Sequence, residues 1–263
     1  MSVTAVSPLL LQRYELKYLI PLEMVEPISK FIEPFCVMDY YSKMAHDHFY
    51  MINSLYFDTP LFYFLDSKQR GIEPSYSLRV RAYGSDPKSP FYSEIKMKKS
   101  DFSHKMRGTL PDENWSQILL TGEIPDSVQG SSRAYLQKFI HMVDSYNASP
   151  KILTQYRRKA YLSEIDNYAR VTFDRDLRYQ YEEEFNLIPD ESKICHYDHE
   201  DYFYHPERNV ILELKAEKKI PHWMIHLIKV FDLQRTSFSK YGSAVLETRS
   251  PLLVASDFIP VHK

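Results

Sequence analysis

The sequence predicts a β-dominated α+β fold, and three observations carry that reading. Stretch after stretch alternates charged and aliphatic side chains with the period of two that belongs to strands. Aromatic residues are plentiful, with 21 Tyr and 15 Phe, a composition that suits pleated, half-buried surfaces. Clusters of Pro, Ser, Asp and Gly separate the alternating stretches, whereas helical stripes are few. Alternation of this kind is usual in antiparallel sheets with one polar face.

Taken in order, Arg13–Ile20 (RYELKYLI) places Glu15 and Lys17 on one face and Leu16 and Tyr18 on the other. Pro21 closes that strand, and Met24–Pro34 reads as a helix with Val25, Ile28 and Ile32 inward. His48–Asp58 is a strand ended by Thr59-Pro60. Tyr76–Tyr83 (YSLRVRAY) sets Arg79 and Arg81 together, and Gly84–Pro90 turns the chain into a hairpin partner, Phe91–Lys98, which carries Glu94, Lys96 and Lys98. Lys99–Thr109 reads as a polar loop with Lys105 and Arg107. Helices are expected near Glu113–Leu120 and over Ser132–Tyr146, the second N-capped by Ser132 and striped by Leu136, Phe139, Ile140 and Val143.

Lys151–Leu162 then reads as a strand with Tyr156, Arg158 and Ala160 on one face, and Tyr168–Tyr179 as another with Arg170, Thr172 and Asp174 together. Tyr181–Glu200 is acidic and irregular. Asn209–Lys215 (NVILELK) pairs Glu213 with Lys215 on one face against Leu212 and Leu214 on the other. Pro221 opens a helix with Trp223, Leu227 and Phe231 inward, Thr236–Val245 continues the alternating set, and Ser250–Lys263 reads as a tail. One domain is expected, with its core at about 11–246 and its tail at 247–263.

Composition excludes several classes. No apolar run approaches the ~20 residues needed to span a bilayer, and Met1–Leu11 lacks the basic start of a signal peptide. Cys36 and Cys195 are too few for a disulfide framework and fit a reducing, cytoplasmic setting. Neither zinc-ligand spacing nor HExxH occurs. A net charge of −2 argues against nucleic acid as a partner. With six glycines and no Walker A or GxGxxG sequence, any phosphate must be held mainly by side chains.

The charges that share the alternating faces form one set. Lys17, Arg79, Arg81, Lys96, Arg158, Arg170, Lys215 and Lys240 are basic, and Glu15, Glu94, Asp174 and Glu213 are acidic. Such a face is either wet surface or the lining of an enclosed polar site. Its richness in Arg favours the second, because guanidinium forks suit phosphate oxygens. A closed barrel would focus that field on an elongated polyanion.

The ordered set RYELKY, SLYFD, LRVRAYG, EIKMK, QYRRKAY, ARVTFDRDL, LELK and FSKYG resembles the VTC domain, the polyphosphate polymerase domain of the vacuolar transporter chaperone complex, in its bacterial single-domain type. That domain belongs to the triphosphate tunnel metalloenzymes. The likeness runs from about Leu11 to Ala244. It implies a closed antiparallel β-barrel tunnel with flanking helices. It also implies an ATP-dependent phosphotransferase that extends inorganic polyphosphate or pyrophosphate with Mn²⁺ or Mg²⁺. By the same resemblance Arg79, Arg81, Arg158, Arg170, Lys215, Ser239 and Tyr156 hold phosphate or nucleotide, and Lys240, Lys96 and Lys17 are catalytic. Glu213 is the implied metal ligand, with Glu15 and Glu94 as lesser candidates. A membrane-protein partner that takes the product is implied as well. Two departures stand out. Ser237 replaces a family lysine three positions before Lys240, and Arg13 stands where hydrolytic cousins carry an acid. The missing acid weakens a two-metal hydrolase, and two alternatives stand beside the polymerase: a triphosphate or nucleoside-triphosphate hydrolase of the same fold, and a non-catalytic polyphosphate or nucleotide sensor.

Overall fold

The computed structural model describes residues 13–88, 90–99, 102–111, 114–166, 168–197, 210–217 and 219–253. Among the described residues eleven strands form one antiparallel sheet, nine of them along a single path, and all but the last of the alternating stretches coincide with strands of that path. In chain order they begin with β1 (Arg13–Ile20), β2 (Cys36–Met38), β3 (Tyr50–Asp58) and β4 (Ser75–Tyr83). β5 (Phe91–Lys99), β6 (Phe102–Leu110), β7 (Ser149–Ser163) and β8 (Ala169–Tyr181) follow. The last are β9 (Cys195–His196), β10 (Val210–Glu217) and β11 (Arg235–Thr236). The sheet order is β11-β1-β10-β8-β7-β3-β4-β5-β6, with β2 added to β7 and β9 to β8.

The helices are α1 (Val25–Ile32), α2 (Tyr40–Met44), α3 (Tyr63–Gln69), α4 (Trp115–Thr121), α5 (Gly130–Ser145), α6 (His222–Val230) and α7 (Lys240–Leu253). In α1, Val25, Ile28 and Ile32 are buried as the sequence predicts. Pro27 lies in its first turn, where no N–H is needed.

The expected closed barrel is not formed. The hydrogen-bonded path is open, ending at β6 on one side and β11 on the other. The reason lies in β1, whose second edge is taken by β11 through Lys17 opposite Thr236 and Tyr18 opposite Arg235. The sheet nevertheless curls strongly, because Lys96 on β5 reaches Glu15 on β1 at 3.1 Å. Its outer face is apolar and covered by helices. α4 and α5 pack over the β3–β6 side, and α1 and α6 over β1, β8 and β10. On the inner face α3 and α7 bury Leu65, Tyr241, Ala244 and Val245 against Ile52, Ile152 and Ile211.

Three local readings change. Lys99–Thr109 is not a loop: β6 pairs with β5 along its length and turns Lys105 and Arg107 inward beside Lys96 and Glu94. Ser132 is not an N-cap. α5 starts at Gly130, and Ser132 Oγ accepts the N–H of Thr109 at 2.8 Å. The stretch after Thr236 is not strand: residues 237–239 have no regular structure, and α7 begins at Lys240 and runs through Leu253 into the expected tail. Residues 11–12, 89, 100–101, Glu113, 198–200, Asn209 and 254–263 of the expected elements lie outside the described residues.

Gly108 shows why β6 escapes a sequence pattern. A Cβ there would lie 2.8 Å from the Leu136 backbone N and 2.8 Å from Ser93 Oγ, so α5 sits directly on this position. Gly108→Ala must push the helix off the sheet, at an overpacking cost of about 1–3 kcal/mol. A urea titration should show the midpoint falling accordingly, and an unchanged midpoint would mean that α5 moves freely.

Candidate functional site

The polar face is the concave one. Strand pairing lines up Lys17 with Glu213 and Thr172, and Glu15 with Lys215 and Arg170. It also sets Arg158 opposite Asp174, and Arg79 opposite Glu94 and Arg107. Every carboxylate on this face is outnumbered by cations, and three linked groups result.

In the first, Lys17 Nζ lies 3.4 Å from Glu15 and 3.5 Å from Glu213, and donates to the Phe238 carbonyl at 2.9 Å. Lys215 approaches Glu213 at 2.9 Å, and Lys96 approaches Glu15 at 3.1 Å. Burial raises the Glu15 carboxyl, but Lys215, Lys96 and Lys17 outweigh it and bring it down to about 2. Glu213 is likewise held well below the carboxylate range, against its burial, by Lys215, Lys240, Lys17 and Arg158.

The second group centres on Asp174, which is fully buried. Arg158 donates to it twice, at 2.6 and 2.7 Å, and Lys240 donates at 2.7 Å. Lys240 also stands over the Tyr156 ring, 4.5 Å from its centroid. Lys240 opens α7, where unpaired backbone N–H groups add positive potential. Ser239 Oγ accepts the Gly242 N–H at 3.2 Å, so that hydroxyl caps the helix start.

The third group surrounds Glu94. Arg79 lies at 2.7 Å, Lys105 and Arg107 each at 2.6 Å, and Arg81 at 3.8 Å. Burial opposes ionisation of Glu94, and these four cations reverse that and hold it well below its usual range. Burial and the three arginines in turn push the Lys105 ammonium down to about 6, in spite of Glu94. Glu94 has the place of a counter-ion for the arginines. Arg81 joins the groups by donating to Tyr156 Oη at 3.3 Å.

The structure thus brings together Lys17, Arg79, Arg81, Lys96, Tyr156, Arg158, Glu213, Lys215 and Lys240. Arg170 lies on the same face opposite Lys215, and its guanidinium donates to Asp39 at 3.3 Å near Tyr50. Lys105, Arg107, Tyr56 and Asp174 are the residues that sequence reasoning left off the candidate list. Alternation of Lys105, Arg107 and Thr109 against Met106 and Leu110 was the available signal for the first two. Tyr56 accepts from Arg79 at 3.0 Å.

The donor chemistry fits a hard divalent cation in one place. Glu15 and Glu213 are diagonal neighbours on adjacent strands, and both reach the same ammonium. Among the described residues no three Asp, Glu, His or Cys converge. Two carboxylates with substrate phosphates completing the shell is a common arrangement for Mg²⁺.

No curated protein matched the chain. Among solved structures it is similar to a candidate adenylate cyclase from Bacillus halodurans, with TM-score 0.48, 13% identity and coverage of 87% of this chain and 95% of that one. A Pyrococcus horikoshii protein gives 0.44, 11%, 91% and 99% on the same measures. A Hippeastrum protein described as a candidate adenylyl cyclase with a dominant triphosphatase activity gives 0.44, 13%, 89% and 94%. Likeness at this level extends no activity to this chain. The sequence match is the stronger finding: residues 12–248, which hold every candidate residue above, match the VTC domain, and the chain belongs to the VTC domain family.

Proposed function

We propose that this chain is a polyphosphate polymerase that transfers the γ-phosphoryl group of ATP to the end of an inorganic polyphosphate chain. The observation that carries this reading is the continuous line of cations along the inner face, from Lys96 and Lys17 through Arg158 to Lys240, with Arg81, Arg79 and Arg107 beside it. Pyrophosphate or polyphosphate is the acceptor. A terminal oxygen of the acceptor forms the new P–O bond, the bond between Pγ and the β,γ-bridging oxygen breaks, and ADP leaves with that electron pair. The transition state is loose and charge-rich, so the protein's task is to position and neutralise. Arg79, Arg81 and Arg158 grip phosphate oxygens, and Lys17, Lys96 and Lys215 guide the chain. Lys240 follows the moving group as a compact charge.

Glu213, with Glu15 beside it, would hold Mn²⁺ or Mg²⁺, which supplies charge neutralisation at the phosphates. Glu94 is assigned to the arginines. A membrane-protein partner that takes the product belongs to this reading, and so does a cytoplasmic location. Among the described residues no helix is long and apolar enough to cross a membrane.

The test is incubation with ATP and Mn²⁺, followed by gel analysis. Long chains are the expected result. Free phosphate alone would make the chain a hydrolase of the same fold, and neither product would make it a sensor.

A further inference from the structure

The inner face satisfies most of its own polar groups. Ser54 and Tyr156 accept from Arg81, and Tyr56 accepts from Arg79. Three buried atoms on β8 are exceptions, with no hydrogen-bond partner among the described residues: Thr172 Oγ, Arg170 Nε and Arg175 Nε, of which Thr172 and Arg170 share their face with Asp174. Those two lie two residues apart and so share the inner face. Thr172 is opposite Glu213 on one side and Ala160 on the other, and Arg170 is opposite Lys215. Thr172 is 1% exposed, and its sequence neighbours Val171 and Phe173 point into the outer core.

A buried hydroxyl left without a partner costs about 1–3 kcal/mol, and valine has nearly the same shape without that cost. The position therefore spends stability on a donor that the substrate-free fold does not use. The neighbourhood defines what that donor can meet. Glu213 opposite and Asp174 two residues on are already engaged, by Lys17 and Lys215 and by Arg158 and Lys240, while Arg170 two residues back and Lys215 on the next strand add positive charge. A hydroxyl and a guanidinium N–H in such a place both donate to an acceptor-only, anionic oxygen.

We infer that the Thr172 hydroxyl forms a phosphoryl-oxygen seat on β8 opposite Glu213, two residues along the same face from Arg170. The inference rests on the polyanion-binding reading above and adds to it a residue that contributes a neutral donor. Such a donor aligns a phosphate without adding charge. Thr172 is closed off from solvent in this state, so the seat forms only as the surrounding side chains rearrange around the ligand.

The experiment measures tripolyphosphate binding by titration calorimetry, with and without EDTA, on the wild type, Thr172→Val and Thr172→Ser. The valine variant is expected to melt at or above the wild-type temperature in the absence of ligand, yet to bind tripolyphosphate about tenfold more weakly, the equivalent of one hydrogen bond to a charged group. The serine variant, which keeps the donor, should bind as the wild type does. Equal affinity in wild type and Thr172→Val overturns the seat and leaves the polyanion reading standing, since the hydroxyl then serves only the fold. Failure of the wild type to bind tripolyphosphate overturns both. Weaker binding by the valine variant, in a protein that makes no polymer from ATP, keeps the seat and removes the polymerase. Should Thr172→Val not fold, Thr172→Ser against Thr172→Ala gives the same comparison, because those two differ by the hydroxyl alone.

Discussion

Lys240→Ala is expected to cut polymer formation from ATP by about 10²-fold or more, the scale of losing one preorganised charge donor. The substitution leaves Asp174 with its bidentate Arg158, so the inner face keeps a paired carboxylate. Triphosphate affinity should fall far less than turnover, because Arg79, Arg81 and Arg158 remain in place. Lys240→Arg should restore ATP binding without the full rate. A guanidinium fork fixes one geometry, whereas an ammonium on a flexible stem can stay with a phosphoryl group as it moves. Single-turnover rates alongside ATP dissociation constants separate the two effects. Wild-type turnover in the alanine variant would take Lys240 off the reaction path.

A still larger loss is expected from Glu213→Gln. Its carboxylate is 5% exposed and balances Lys17, Lys215 and Arg158. Glutamine keeps the shape but removes the charge that would hold the divalent ion, and neutralisation by that ion is worth several kcal/mol in the transition state. At ~1.4 kcal/mol per factor of ten, turnover should drop by about a thousandfold. Calorimetry should show Mn²⁺ binding weakened in step. Undiminished turnover at saturating Mn²⁺ would exclude this ligand role.

Much of the site is legible in the sequence because uninterrupted period-two alternation fixes which side chains share a face. Lys17, Glu213 and Lys215 needed nothing more. What failed to read depends on contacts made far along the chain. β6 looks like a loop because Gly108 and its polar neighbours dilute the pattern, and the glycine is there for the approach of α5. The TSFSKYG stretch alternates like a strand, but burial of Tyr241, Ala244 and Val245 on the inner face favours α7. Asp174 belongs visibly to the polar face. That one carboxylate serves both Arg158 and Lys240 becomes apparent only when residues 66 positions apart meet. The open path of the sheet was hidden as well, since it turns on a two-residue strand taking the edge of β1.

That open path bears on how a polymer is handled. A ring of strands closed by hydrogen bonds obliges a chain to thread in by one end and run out by the other. Here Lys96 and Glu15, both partly exposed, bridge the two sides of the sheet through their side chains. An ion pair of that kind is worth about 0–1 kcal/mol, little beside a ladder of backbone bonds. On the polymerase reading, parting this ion pair would open a sideways exit for a long chain at the end of the inner face that α3 and α7 do not fill. If the chain extends polyphosphate as proposed, substitution of Lys96 or Glu15 should change the length at which product is released, read on a gel.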